Sequence, residues 1–202
     1  MKIQKYLAEL VGTFGLTLVA ALCITKGFGA FTPFMVAIIL GLFVYSIGHI
    51  SGAHVNPGIT LGALSIKKIS PVDALLYIIA QFAGAALAVL LMIGFKIVVP
   101  TAPASILNGM LVACAEAVGM FFFAFGVASV IYGRASSAMS GVVVGGSLLI
   151  GLILSSTLGA IGILNPAIAF GLHAFTWAYV LGPIVGSVVG MWAYYGLSEK
   201  KF

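Results

Sequence analysis

Two Asn-Pro pairs, Asn56-Pro57-Gly58 and Asn165-Pro166-Ala167, and two glutamates within apolar runs, Glu9 and Glu116, are the residues best placed to do chemistry. Asn both donates and accepts hydrogen bonds, while Pro fixes φ and gives up its N–H. Each pair therefore reads as a turn in which Asn caps the helix that follows. Pro57 and Pro166 would sit at the first helical position, where the missing N–H costs nothing. Each such helix would point a positive dipole end and an amide side chain at whatever lies ahead of it. A carboxyl in an apolar run is costly, and two roles compete for Glu9 and Glu116. As titrating groups they would couple transport to protons or ions. As acceptors they would satisfy the backbone N–H groups of an irregular loop. Their symmetric recurrence, and the cost of leaving loop backbone unsatisfied in an apolar medium, favour the second role. The sequence contains no nucleotide loop, nucleophilic triad or metal-ligating cluster, and Cys23 and Cys114 read as buried free thiols. Neither an enzyme site nor a cofactor is expected.

The elements that must position these residues follow from composition. Of 202 residues, 62% are hydrophobic and only 6% charged, against roughly 25% charged in soluble domains. That excludes a cytosolic enzyme, a nucleic-acid partner and a disordered chain. The net charge of +5 is spread over too few bases to make an acidic-ligand patch. What remains is a polytopic membrane protein whose surroundings are a lipid bilayer. With about 20 residues per span, the apolar runs predict spans at Lys5–Ile24, Pro33–Ile50, Val72–Val98, Ser105–Tyr132, Ala138–Thr157 and Trp177–Leu197. The first contains Glu9 and lacks a small-residue cleavage site, so it reads as a retained span and not a signal peptide. Lys2, Lys5, Lys67, Lys68, Arg134, Lys200 and Lys201 fall on one side, and Lys26 and Lys96 on the other. By the positive-inside rule both termini are cytoplasmic in a multi-pass protein of the cell membrane.

The chain also repeats itself. Ala8-Glu9-Leu10-Val11-Gly12-Thr13-Phe14 recurs as Ala115-Glu116-Ala117-Val118-Gly119-Met120-Phe121, and Val55-Asn56-Pro57-Gly58 as Leu164-Asn165-Pro166-Ala167. Each copy, about 1–100 and about 105–202, holds three spans, an odd number, so the second is inverted relative to the first. Gly52 to Leu64 and Ala160 to Leu172 are too short to span and read as loops with half-helices dipping into the membrane. Such backbone is tolerated only where it lines a water-filled cavity or is buried in protein. The expectation is a single all-α transmembrane domain over 1–202, with six spans, two re-entrant half-helices and an inverted 3+3 repeat. Gly84 with Ala88, and Gly186 with Gly190, have the small-xxx-small spacing of close helix packing.

Further motifs join these: Gly48-His49-Ile50-Ser51-Gly52-Ala53-His54 before the first Asn-Pro, Gln81 with Gly84-Ala85, Phe170-Gly171, and Trp177-Ala178-Tyr179-Val180-Leu181-Gly182-Pro183 with Gly186. Together with Ala8-Glu9 and Gly12-Thr13-Phe14 they resemble the major intrinsic protein family, the aquaporins and aquaglyceroporins, over nearly the whole chain. The resemblance implies a right-handed bundle and a homotetramer with one pore per protomer. It also implies that Asn56 and Asn165 present N–H groups at mid-pore. The carbonyls of Gly52, Ala53 and His54, and of Ile161, Gly162 and Ile163, would form acceptor ladders. Glu9 and Glu116, with His49, would brace the two loops. His54 would offer its carbonyl more than its ring, and His173 would lie in a loop.

The departures concern selectivity. In the family the residue three after the second Asn is usually Arg; here it is Ile168. By ungapped offset the other constriction positions are Val36, Ile153 and Gly162, with Ile153 subject to a shift if the preceding loop carries a gap. Gly58 stands where Ala is usual. Arg would supply five donors and a fixed charge, so its loss leaves an aliphatic ring that is wider and unable to replace a hydrated solute's hydrogen bonds. Such a ring can also close by dewetting. The leading expectation is a passive, unselective channel for water and small neutral solutes such as glycerol. An ion-coupled secondary transporter and a non-conducting structural member of the fold stand as alternatives.

Overall fold

The computed structural model describes residues 3–100, 103 and 108–198. Eight α-helices follow one another in it: α1 (Gln4–Thr25), α2 (Thr32–Ser51), α3 (Pro57–Ser65), α4 (Pro71–Gly94), α5 (Met110–Ile131), α6 (Ser140–Thr157), α7 (Pro166–Gly171) and α8 (Trp177–Ser198). All but α3 and α7 are long and apolar enough to cross a membrane. Lys2, Glu199, Lys200, Lys201 and the predicted start of the fourth span at Ser105 lie outside the described residues.

Local chemistry sets the helix ends. Ser70 Oγ accepts from Asp73 N at 3.1 Å and Pro71 opens α4, a capped start. α4 stops at Gly94, short of the predicted Val98, because Lys96 turns left-handed (φ 56°) and Ile97 N donates back to Met92 O at 2.8 Å. α5 begins at Met110 because Gly109 holds φ 129°, a conformation other residues rarely adopt.

The two halves are built alike. α1 packs against α4 and α2, and α5 correspondingly against α8 and α6. Where α2 meets α6 the halves join. Each half-helix also crosses over, α3 lying against α8 and α7 against α4. The small-residue rows seat the closest pairs, as their spacing predicts. A Cβ on Gly84 would come within 2.3 Å of the Leu10 carbonyl oxygen, and one on Gly186 within 2.2 Å of the Ala117 carbonyl oxygen. These are equivalent contacts in the two repeats.

Following the chain, α1 leaves one face of the bundle, and α2 and α5 end there, as does α8; this is the terminal face. The loops after α1, α4 and α6 lie at the opposite, far face. At the terminal face Lys5 Nζ meets Asp73 Oδ1 at 2.8 Å, and Tyr6 Oη donates to the same oxygen at 2.8 Å, tying α1 to α4. Cys23 is buried as expected, but Cys114 is exposed. Composition could not separate the two, because the outward face of a membrane helix is as apolar as its core face.

Candidate functional site

The loops ahead of α3 and α7 run to the middle of the bundle and meet there. Asn56 and Asn165 have extended backbones, and their side-chain oxygens cap the helices that follow. Asn56 Oδ1 accepts from Gly58 N at 2.8 Å; Asn165 Oδ1 accepts from Ala167 N at 3.0 Å and Ile168 N at 3.4 Å. Pro57 and Pro166 open the two helices. The amide nitrogens cross over: Asn56 Nδ2 donates to Leu164 O and Asn165 Nδ2 to Val55 O, both at 2.9 Å. Each Asn thus caps its own half-helix and fastens the tip of the other loop. Gly58 fits because a Cβ there would lie 3.0 Å from Met120 Cε and 3.2 Å from Asn56 Oδ1.

Both loops adopt backbone that non-glycine residues rarely hold. Ala53, Val55 and Leu164 have φ of 49°, 42° and 55°, beside Gly52 at 88° and Gly162 at 76°. Buried carboxylates hold them. Glu9 accepts from His54 N (2.9 Å), Val55 N (2.6 Å), Ser51 Oγ (2.7 Å) and Gln81 Nε2 (2.7 Å). Glu116 accepts from Gly162 N, Ile163 N (both 3.0 Å), Leu164 N (2.7 Å) and Ser155 Oγ (2.8 Å). Tyr77 Oη donates to Ser51 O at 2.7 Å, and Tyr179 Oη accepts from Ile161 N at 2.9 Å. The Ser51/Ser155 and Tyr77/Tyr179 pairs went unnoticed in the sequence. Their signal was the repeat itself, since each pair holds matching places before or after the loops.

His49 does not brace the loop as expected. It is exposed on the last turn of α2, and none of the loop's hydrogen bonds goes to it. Glu9 and Ser51 already take the loop's N–H groups, and Tyr77 takes the Ser51 carbonyl. His54 uses its ring as well as its backbone: Nδ1 lies 3.2 Å from Thr60 Oγ1, and the ring stands edge-on to Tyr77. His173 ends α7 in a left-handed turn (φ 56°) and is exposed.

Three cavities follow one another through the bundle. The far-face vestibule measures about 410 Å³ and is lined by Val36, Leu152, Ile161, Gly162, Ile163 and Ile168 among others. The terminal-face vestibule measures about 100 Å³ and is lined by Gly52, Ala53, His54 and Ile59 with aliphatic residues of α2, α5 and α6. Between them, at Asn56 and Asn165, lies a chamber of about 10 Å³. Of the four residues that the offsets name, Val36, Gly162 and Ile168 line the far-face vestibule. Ile153 does not. It is 44% exposed on the outside of α6, and Leu152 and Ser156 face the cavity instead. The inward position is one residue away, and one residue turns a helical side chain by about 100°. Among the described residues no group of His, Cys, Asp and Glu could hold a metal ion.

A family model described as major intrinsic protein matches residues 1–194. The chain belongs to the major intrinsic protein family. Aquaporin NIP1-1 of Zea mays is 32% identical over 212 residues, covering 95% of this chain and 74% of that protein. Nodulin-26 of Glycine max is 30% identical over 213 residues, covering 95% and 77%. The crystal structure of the aquaglyceroporin from Plasmodium falciparum shares the fold, with a TM-score of 0.68 at 24% identity over 96% of each chain. Within this major intrinsic protein, Ile168 and Ile59 hold equivalent places three residues after the two Asn. Each faces its own vestibule. Ile168, where the family usually has Arg, therefore carries the same side chain as its counterpart in the other repeat.

Proposed function

We propose that the protein is a passive channel for water and small neutral solutes, conducting along the line of the three cavities. The observation that carries this reading is the reciprocal bonding of Asn56 and Asn165 at the narrow chamber joining vestibules on opposite faces. In this reading Val36, Leu152, Gly162 and Ile168 line the far-face end of the path. The carbonyls of Gly52, Ala53, His54, Ile161, Gly162 and Ile163 offer acceptors along one wall, and the remaining wall is largely apolar. Glu9 and Glu116 are fully buried and line none of the cavities, so bracing suits them better than ion coupling.

The names of the relatives, aquaporins and an aquaglyceroporin, agree with water and glycerol as the permeants. The terminal face, with Lys5, Lys67, Lys68 and Arg134, would be cytoplasmic, and Lys26 and Lys96 would face outward. Four copies would assemble side by side, each with its own pore; light scattering of the detergent-solubilised protein would show a mass four times that of the chain. Proteoliposomes under osmotic gradients test the channel. Shrinkage in an impermeant osmolyte faster than that of empty vesicles, and passive equilibration of glycerol without an ion gradient, are expected. Rates equal to empty vesicles for both would sink the proposal, and uphill, ion-driven uptake would favour a coupled transporter.

A further inference from the structure

The far-face vestibule, with Ile168 in its lining, is the largest of the three cavities on the path. The far-face vestibule of about 410 Å³ has room for a solute of several carbon atoms with water around it. The terminal-face vestibule holds about 100 Å³, and the chamber between them about 10 Å³, roughly the space one water requires. The narrow part is thus at mid-pore, where Leu16, Leu40, Phe123 and Leu148 line the chamber with the two Asn, and Val36 and Ile168 reach it from the far-face vestibule.

Phe123 is the largest of these side chains. It is 2% exposed and lines both the central chamber and the terminal-face vestibule, so its ring stands at the neck between them. Its counterpart in the first repeat is Leu16, counted from the matched Ala8-Glu9 and Ala115-Glu116. The same count pairs Ala20, at the far-face vestibule, with Val127, at the terminal-face vestibule. The second repeat therefore carries extra bulk on the terminal side of the chamber, where strict symmetry would have placed Leu and Ala. A packed aromatic ring yields space only by leaving its rotamer or moving its helix.

Taking the line of cavities as the conduction path of the proposed channel, we infer that solute size is selected at mid-pore by Phe123, with Leu16, Leu40 and Leu148, and not at the far-face mouth. Water passes singly beneath the Asn pair. Glycerol passes slowly, and longer polyols are held back by the Phe123 ring.

The test is a size series of water, glycerol, erythritol and xylitol, measured by osmotic swelling of proteoliposomes holding the full chain. In F123L and F123A the ratio of glycerol to water permeability should rise several-fold, and the cut-off should move to longer polyols. L16F should lower glycerol flux below that of the parent. I24A and L172A, which line the far-face vestibule and not the chamber, should shift the cut-off less than F123A does. Unchanged ratios in F123L and L16F, or a larger shift in I24A or L172A, would overturn the assignment. F123L and L16F keep the site apolar, so the comparison stands even if F123A folds poorly. A parent protein passing neither water nor glycerol would instead refute the channel itself.

Discussion

Val55 and Leu164 hold φ values of 42° and 55° at the tips of the two loops, conformations that cost of order 1–3 kcal/mol apiece for such side chains. They persist because Glu9 and Glu116 gather the N–H groups that face them, at 2.6 Å to Val55 and 2.7 Å to Leu164. Removing one acceptor leaves several buried donors unpaired, each worth about 1–3 kcal/mol. Glu116→Ala should therefore lower stability by at least about 3 kcal/mol and abolish flux. Thermal unfolding in detergent, alongside vesicle swelling, measures both. Glu116→Gln keeps one carbonyl oxygen but adds two donors among groups that already donate, so it should fall between. A Glu116→Ala protein with parental stability and flux would show that the loop holds itself. Both carboxylates were legible in the sequence because they recur with their neighbours. His49 was not correctly placed, because a polar side chain near a loop says nothing about whether the loop has donors left to share.

At the scale of helices, periodicity and punctuation located every span to within a few residues, except where a turn or a glycine overrode the apolar run. Val98 is as apolar as the helix before it, yet Lys96 had already turned the chain away. Phase was harder to read than extent. α6 is apolar on all sides, so nothing in its composition distinguishes Ile153 from Leu152; only packing against α2 and α5 decided which one faces inward. The small-residue rows were the reliable guide to contact. Gly84→Leu would drive its side chain into the Leu10 carbonyl and the backbone of Phe14. It should cut the yield of folded protein sharply. Gly94→Leu, on the same helix with nothing within 4 Å of the added Cβ, should leave yield near that of the parent. Monodisperse recovery on size exclusion compares them, and equal recovery would refute tight α1–α4 packing as a requirement.

For the whole molecule the consequence of an Arg-less mouth is electrostatic as well as steric. Cation exclusion in the proposed channel rests on the half-helix dipoles, and α7 has only six residues. A measurable proton or Na⁺ leak is therefore expected, read with a pH-sensitive dye trapped in proteoliposomes. Ile168→Arg should reduce it and lower glycerol flux together, since the guanidinium adds a fixed charge and bulk at the vestibule. Identical leak and solute flux in that variant would remove residue 168 from the conduction path.

The sequence alone determined that the chain is a membrane bundle with an inverted repeat, because scarcity of charge and recurrence of motifs survive without knowledge of contacts. It also marked Asn56, Asn165, Glu9 and Glu116, whose polarity in an apolar chain makes them conspicuous. The tertiary structure decided what an apolar background hides: that Leu152 and not Ile153 faces the vestibule, that Cys114 points outward, and that the passage narrows beside Phe123. In a soluble protein the inward face is marked by its contrast with water. Here the outward face meets lipid, both faces of each helix are apolar, and only packing tells them apart.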